Sequence, residues 1–93
     1  MHKGCKVKEL KLNKTKVSDE GAILIFKALE INTSLNVLNL GSNNLTDNLY
    51  SSILNCINSN KNLRSINLIN NKFGASFKEN IKLKIRKELK IIL

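Results

Sequence analysis

The chain has 93 residues, 42% of them hydrophobic, which suits one small domain with a modest core. Sixteen lysines and arginines against seven carboxylates give a formal charge of +9, strongly basic for this length. No apolar run reaches bilayer length and Met1-His2-Lys3-Gly4 does not open a signal peptide, so the composition points to a cytoplasmic or nuclear protein whose two cysteines, Cys5 and Cys56, are free thiols.

Residues 1–6 are a basic lead-in without a pattern. Val7 to Leu12 predicts a first strand. Ser18 stands where a helix N-cap is expected, and Asp19 and Glu20 put negative charge on the first turn, where the helix dipole favours it. Ala22, Ile25, Phe26 and Leu29 have the spacing of one buried face, in a helix running to about Ile31. Asn32-Thr33-Ser34 then turns the chain back into a strand from Leu35. In the next unit Thr46 aligns with Ser18, Leu49, Ile53, Cys56 and Ile57 form the inner helix face, and Asn60 matches Asn32. Cys56 aligns with Ala28 and reads as a small core residue. A third strand follows from Leu63, Gly74 takes the cap position, and Phe77, Ile81 and Ile85 hold the inner positions of a third helix. Ile91 then aligns with Leu63 and Leu35, which starts a fourth strand. An alternative register pairs Lys87-Glu88-Leu89-Lys90-Ile91 with Lys8-Glu9-Leu10-Lys11-Leu12; the strict period is preferred because it keeps Ile81 and Ile85 in phase.

These elements are copies of one pattern. Leu35, Leu38, Leu40, Asn43 and Leu45 spell L-x-x-L-x-L-x-x-N-x-L. Leu63, Ile66, Leu68, Asn71 and Phe73 repeat it about 28 residues later, and Val7, Leu10, Leu12, Thr15 and Val17 about 28 residues earlier. The period divides the domain, 7–93, into repeats 7–34, 35–62 and 63–90, with the start of a fourth strand at 91–93. Each strand is too short to bury its apolar face alone, so copies are expected to stack in parallel over a continuous core. Asn43 and Asn71 fall where the chain leaves the strand. A side-chain amide there donates and accepts at once, so both are expected to bond the backbone of adjacent turns, with Thr15 a weaker first-copy substitute. Asn44, one residue out of phase, is expected to tolerate replacement by Leu.

The run L-x-x-L-x-L-x-x-N-x-L, followed by a full helix and then by N-x-x-L at Asn32 to Leu35 and Asn60 to Leu63, resembles the ribonuclease-inhibitor-like class of leucine-rich repeats. Residues 35–40 and their lead-in, N-T-S-L-N-V-L-N-L, are also similar to the leucine-rich part of tropomodulins. The resemblance implies an α/β fold, a short right-handed β-α solenoid of about three repeats. Parallel strands would line its concave face and helices its convex face. It also implies a family whose members mostly bind proteins. Three repeats make a shallow arc, where that family typically forms a deep horseshoe.

Catalysis finds no residues to carry it. His2 is the sole imidazole, and no HExxH, CxxC or phosphate-cradling glycine loop occurs. Asp19, Glu20 and Asp47 have helix-start roles, Glu30 and Glu79 sit among lysines, and Ser51 and Ser52 have no partner base. No cofactor or metal is expected. The three N-x-S/T triplets are expected accidents of an Asn-rich chain. The expected function is therefore a non-enzymatic interaction module binding a protein through outward strand positions: Glu9, Lys11 and Asn13, then Val37, Asn39 and Gly41, then Ser65, Asn67 and Ile69. Val37 and Ile69 are read as an exposed apolar pair rimmed by amides.

Charge supports an alternative. No lysine or arginine occurs between Leu35 and Asn60, while both ends are crowded with them. Lys78, Lys82 and Arg86 recur at i, i+4 and i+8, a stripe that could lie along nucleic-acid phosphates or an anionic membrane surface. Tyr50 is the sole aromatic left for stacking on a base, which argues against specific nucleic-acid readout. Finally, Lys90-Ile91-Ile92-Leu93 forms an uncapped apolar edge. It suggests either a fragment of a longer repeat array or a homodimer closed through the carboxyl-terminal edge.

Overall fold

A computed structural model describes residues 8–93. Its order is β1 (Glu9–Lys11), α1 (Asp19–Leu29), β2 (Val37–Asn39), a 3-10 turn (Asp47–Leu49), α2 (Tyr50–Ser59), β3 (Ser65–Asn67), α3 (Ala75–Lys84) and β4 (Lys90–Ile92). The strands form one parallel sheet in the order β1-β2-β3-β4, with the helices as a second layer. This is the α/β solenoid that the repeat pattern predicts. Val7, Cys5 and His2 lie outside the described residues.

Register explains the packing. Leu10, Leu38, Ile66 and Ile91 occupy matching positions on successive strands and point toward the helices. Leu38 and Ile66, with a strand on either side, are fully buried, while Leu10 and Ile91 on the outer strands are only partly so. Leu40, Leu45, Leu49, Ile53, Leu63, Leu68 and Ile81 complete an interior without solvent contact. Each such aliphatic side chain contributes roughly 1.5–3 kcal/mol by leaving water. Phe73 stacks on Phe77 at 4.4 Å, closing the core of the third repeat.

The third repeat departs from the strict period. Glu9 pairs in register with Val37 and Val37 with Ser65, but Ser65 pairs with Lys90, so Ile91 stands opposite Ile66 and not in line with Leu63. The alternative pairing of Lys87 to Ile91 with Lys8 to Leu12 is not adopted either. The missing residues come out of the helix layer: α3 has 10 residues where the 3-10 turn of 3 and α2 of 10 stand one repeat earlier. Ile85 is consequently not an inner helix residue; it caps α3 in extended conformation. Helix α1 likewise stops at Leu29, leaving Ile31 in the turn.

Each helix start is held differently. Ser18 accepts from the Gly21 N–H at α1, and Thr46 accepts from Asn48 N–H at the 3-10 turn. Gly74 has no side chain to offer, and its own N–H donates instead to Asp47 Oδ1 of the preceding repeat at 2.9 Å.

Candidate functional site

The strand face away from the helices is built from two rows. Glu9, Val37, Ser65 and Lys90 lie in register, and two residues further along so do Lys11, Asn39, Asn67 and Ile92. With strands about 4.8 Å apart, each row spans about 14 Å. Glu9 and Lys11 form an ion pair at 3.6 Å with both side chains well exposed, a contact worth little in water. Lys90 and Ile92 belong to this face and were missed, because the strict period put β4 three residues out of register. A signal for it was present: Arg86-Lys87-Glu88-Leu89 repeats the spacing of Asn32 to Leu35 and Asn60 to Leu63 with Arg in place of Asn.

Two expected face residues behave otherwise. Gly41 is buried, and a Cβ there would meet Asn39 Oδ1 and both Ile69 Cγ2 and Ile69 O at 3.3 Å, so the position is closed by its neighbours. Val37 is half-buried and Ile69 is 44% exposed, but they lie four positions apart along the strand direction, in register with Ser65 and Gly41 respectively. They are separate spots and not an apolar pair. Asn13 lies exposed in the turn after β1. Asn39 and Asn67 are half-buried and each uses Oδ1 to accept the N–H two residues on, from Gly41 and Ile69 at 3.0 Å. Neither Nδ2 donates a hydrogen bond among the described residues, so the two amides offer stacked donors at the middle of the face.

Behind this face run three ladders of cross-repeat hydrogen bonds. Asn43 Oδ1 accepts from Thr15 N–H at 3.0 Å and Val17 N–H at 3.2 Å, while Nδ2 donates to the carbonyls of Leu12, Leu40 and Gly41. Asn71 repeats the arrangement, accepting from Asn43 and Leu45 N–H at 2.9 Å and donating to Leu40, Leu68 and Ile69. The Thr15 hydroxyl donates only locally, to Leu12 O. The turns need left-handed backbone at Lys14, Ser42 and Asn70, with φ of 58°, 58° and 59°, and again at Lys16 and Asn44, with φ of 63° and 61°. Asn44 is therefore no neutral control for Leu, which resists this region.

The second ladder lies at the helix starts. Asp19 accepts from Thr46 N–H at 3.0 Å and from the Thr46 hydroxyl, joining repeats one and two, as Asp47 joins two and three. Partial burial pushes the Asp19 carboxyl up, but the bonds from the Thr46 side chain and backbone and from Asn48 outweigh it and hold it below the usual range. These aspartates thus act between repeats as well as on their own helix.

The third ladder lies at the return turns. Asn60 is buried, Oδ1 accepting from Asn62 and Leu63 N–H while Nδ2 donates to Leu29 O and Asn32 O at 2.7 Å. Arg86 takes this part in the third repeat. Its guanidinium donates to Ile57 O at 3.1 Å and Leu63 O at 2.6 Å, the longer side chain bridging where the shortened helix ends. Arg86 lies beyond α3 and is committed to the backbone, so the basic stripe reduces to Lys78 and Lys82, half-buried and exposed on α3.

Cys56 is fully buried on α2; burial first, and the nearby Glu30 carboxylate second, push its thiol up to about 12 against a smaller opposing pull from Arg86. A thiol so protonated is a packing group, not a nucleophile. No group of three or more His, Cys, Asp or Glu that could hold a metal occurs among the described residues. No helix among them is long and apolar enough to cross a membrane.

Sequence comparison agrees with this architecture. The family described as Leucine Rich repeat matches at residues 5–26 and 32–48, the first strand and helix and the second strand with its turn. The match covers less than half of the chain and supports a leucine-rich repeat family, and the parallel register extends the same unit through β3 and β4. Such domains generally mediate protein–protein interaction and are typically non-enzymatic. No curated protein matches the chain.

Proposed function

We propose that the domain binds a protein partner across its strand face, at Glu9, Lys11, Val37, Asn39, Ser65, Asn67, Lys90 and Ile92. The observation that carries this is the middle of the face. Asn39 and Asn67, adjacent in register, spend Oδ1 on their own turns and keep Nδ2 for an outside acceptor, beside the apolar Val37 and Ile92. Peptide carbonyls supply such acceptors, and an interface with a modest apolar centre and amide rim suits them. A full helix in each of the first two units, about 28 residues apart, supports placement in the ribonuclease-inhibitor-like class. The unpaired Cys56 fits a reducing, cytoplasmic or nuclear compartment.

Affinity capture from the protein's own cells, comparing wild type with Lys11→Glu/Ser65→Glu, tests the face. Both positions lie outside the core, so the variant should keep the wild-type unfolding midpoint while losing the specific partner. An identical captured set from both proteins removes the strand face as the site.

The alternative is nonspecific polyanion binding through α3. Lys78 and Lys82 favour it, with Lys84 and Lys87 nearby, but the loss of Arg86 from the stripe leaves it without the group best suited to grip phosphate. Salt-sensitive retention on DNA or anionic liposomes that disappears in Lys78→Glu/Lys82→Glu would establish it in place of the protein-binding reading.

A further inference from the structure

The helix layer ends differently on its two flanks. Helix positions equivalent to Ala22 and Phe26 face the following repeat: both are fully buried on α1, and the next equivalent of Ala22, Tyr50, meets Phe77 edge-on at 5.7 Å. On α3 these positions carry Lys78 and Lys82, so that flank is finished with charge. The flank on the other side of α1 is apolar. Ile53 and Cys56 on α2 are fully buried, whereas their counterparts Ile25 and Ala28 on α1 are half-buried and exposed. Ile25 and Ala28 line a groove of about 320 Å³ with Leu10, Leu29, Asn32 and Leu35. Beside it α1 and its turn present Leu24, 68% exposed, and Ile31, 86% exposed, where the α2 repeat carries Ser52 and Ser59. At about 100° per residue, Leu24, Ala28, Gly21 and Ile25 fall within about 100° of the helix circumference with no charge among them, and Ile31 follows in the turn beyond the helix end.

We infer that this flank of α1 is a contact between two copies of the chain, packed antiparallel about a two-fold axis near Leu24. The charges at its margin are self-complementary. Glu20 lies four residues before Leu24 and Lys27 three after it on the same outer side, so an antiparallel two-fold pairing sets Glu20 of each copy opposite Lys27 of the other. The same pairing brings Leu24 against its counterpart and Ile31 toward Val17 at the start of the other helix. Gly21 and Ala28 allow the backbones to approach. The β4 edge, where the sequence suggested a homodimer, is unsuited to self-contact: Lys84, Lys87 and Lys90 stand there against Glu88 alone and two copies would repel. Among the three described α-helices, α1 is the one in which carboxylates, Asp19 and Glu20, outnumber basic residues, Lys27 alone, and Glu30 follows as its C-cap. The contact is independent of the strand face, which lies on the opposite layer and stays open in the dimer.

Sedimentation equilibrium of the intact protein over a wide concentration series tests this. Wild type passes from monomer to dimer with concentration. Leu24→Ser/Ile31→Ser, which installs the residues α2 already carries, keeps the circular dichroism spectrum and raises the dissociation constant by at least about tenfold, since burying two such side chains is worth more than 1.4 kcal/mol. Glu20→Lys weakens the dimer and Glu20→Lys/Lys27→Glu restores it. Wild type that is monomeric at every concentration overturns the inference, leaving the groove to another segment or partner. A dimer indifferent to Leu24→Ser/Ile31→Ser but broken by Ile91→Lys overturns it in favour of the β4 edge.

Discussion

Replacing Asn71 by Ala should destabilise the protein more than replacing Asn43, although Asn43 is the more buried of the two asparagines. The difference lies in what each leaves behind. Without the Asn43 side chain, Leu12 O keeps its bond from the Thr15 hydroxyl, Leu40 O keeps Asn71 Nδ2, and Gly41 O keeps the Lys14 N–H at 3.0 Å. Only the Thr15 and Val17 N–H groups lose their acceptor, and these lie in a partly exposed turn where water can reach. Without the Asn71 side chain, the N–H groups of Asn43 and Leu45 lose theirs, and both residues are buried. Leu68 O also loses its side-chain donor. At about 1–3 kcal/mol for each buried polar group left unpaired, less where water enters, Asn71→Ala should cost about 3–5 kcal/mol and Asn43→Ala about 2–3 kcal/mol. Against a total of about 5–14 kcal/mol for a domain of this size, both are visible in urea unfolding. Asn44→Gly is the proper reference, because glycine accepts the φ of 61° that leucine would not. A loss at Asn71 equal to or below that at Asn43, or no larger than at Asn44→Gly, would refute the ladder as a source of stability.

Three further outcomes follow from the same geometry. The Asp19 carboxyl is held below its ordinary value, so its stabilisation is complete above about pH 4, the unfolded-state value, and is lost as pH falls through the folded one. Asp19→Asn should flatten the acid side of the stability profile measured by urea midpoints, and parallel profiles would count against the Thr46 bonds. Lys14→Asn and Lys16→Asn copy the residues at Asn70 and Asn44 and relieve left-handed lysines, so each should gain about 0.5 kcal/mol and raise the melting temperature by a few degrees. Unchanged melting would show that the lysines bear no strain. Arg86→Ala should cost about 1–3 kcal/mol by freeing Ile57 O and Leu63 O, and Arg86→Lys should not restore it, since one ammonium does not reproduce the planar fork; a neutral Arg86→Ala would return this side chain to the surface.

The repeat itself was legible in the chain because stacking imposes the same demand at each copy. Leu38 and Ile66 must enter the core at the same point, so the spacing around them recurs, and Asn43 and Asn71 recur with the turn they close. What repeats in sequence is what each unit needs from its neighbour. The tertiary structure decided the rest where one copy departs from the others. Shortening of α3 moved β4 by three residues, brought Lys90 and Ile92 onto the strand face, and drew Arg86 out of a helical stripe into the place of an asparagine. A periodic reading averages over such a change, because nothing in a fixed spacing records that a longer side chain can span the gap left by a shorter helix. Burial of Gly41 beneath Ile69 and exposure of Leu24 and Ile31 were likewise settled by neighbours across the repeat. Local alternation fixes which side of a strand or helix a residue takes, but only the packed neighbours fix whether anything covers it there.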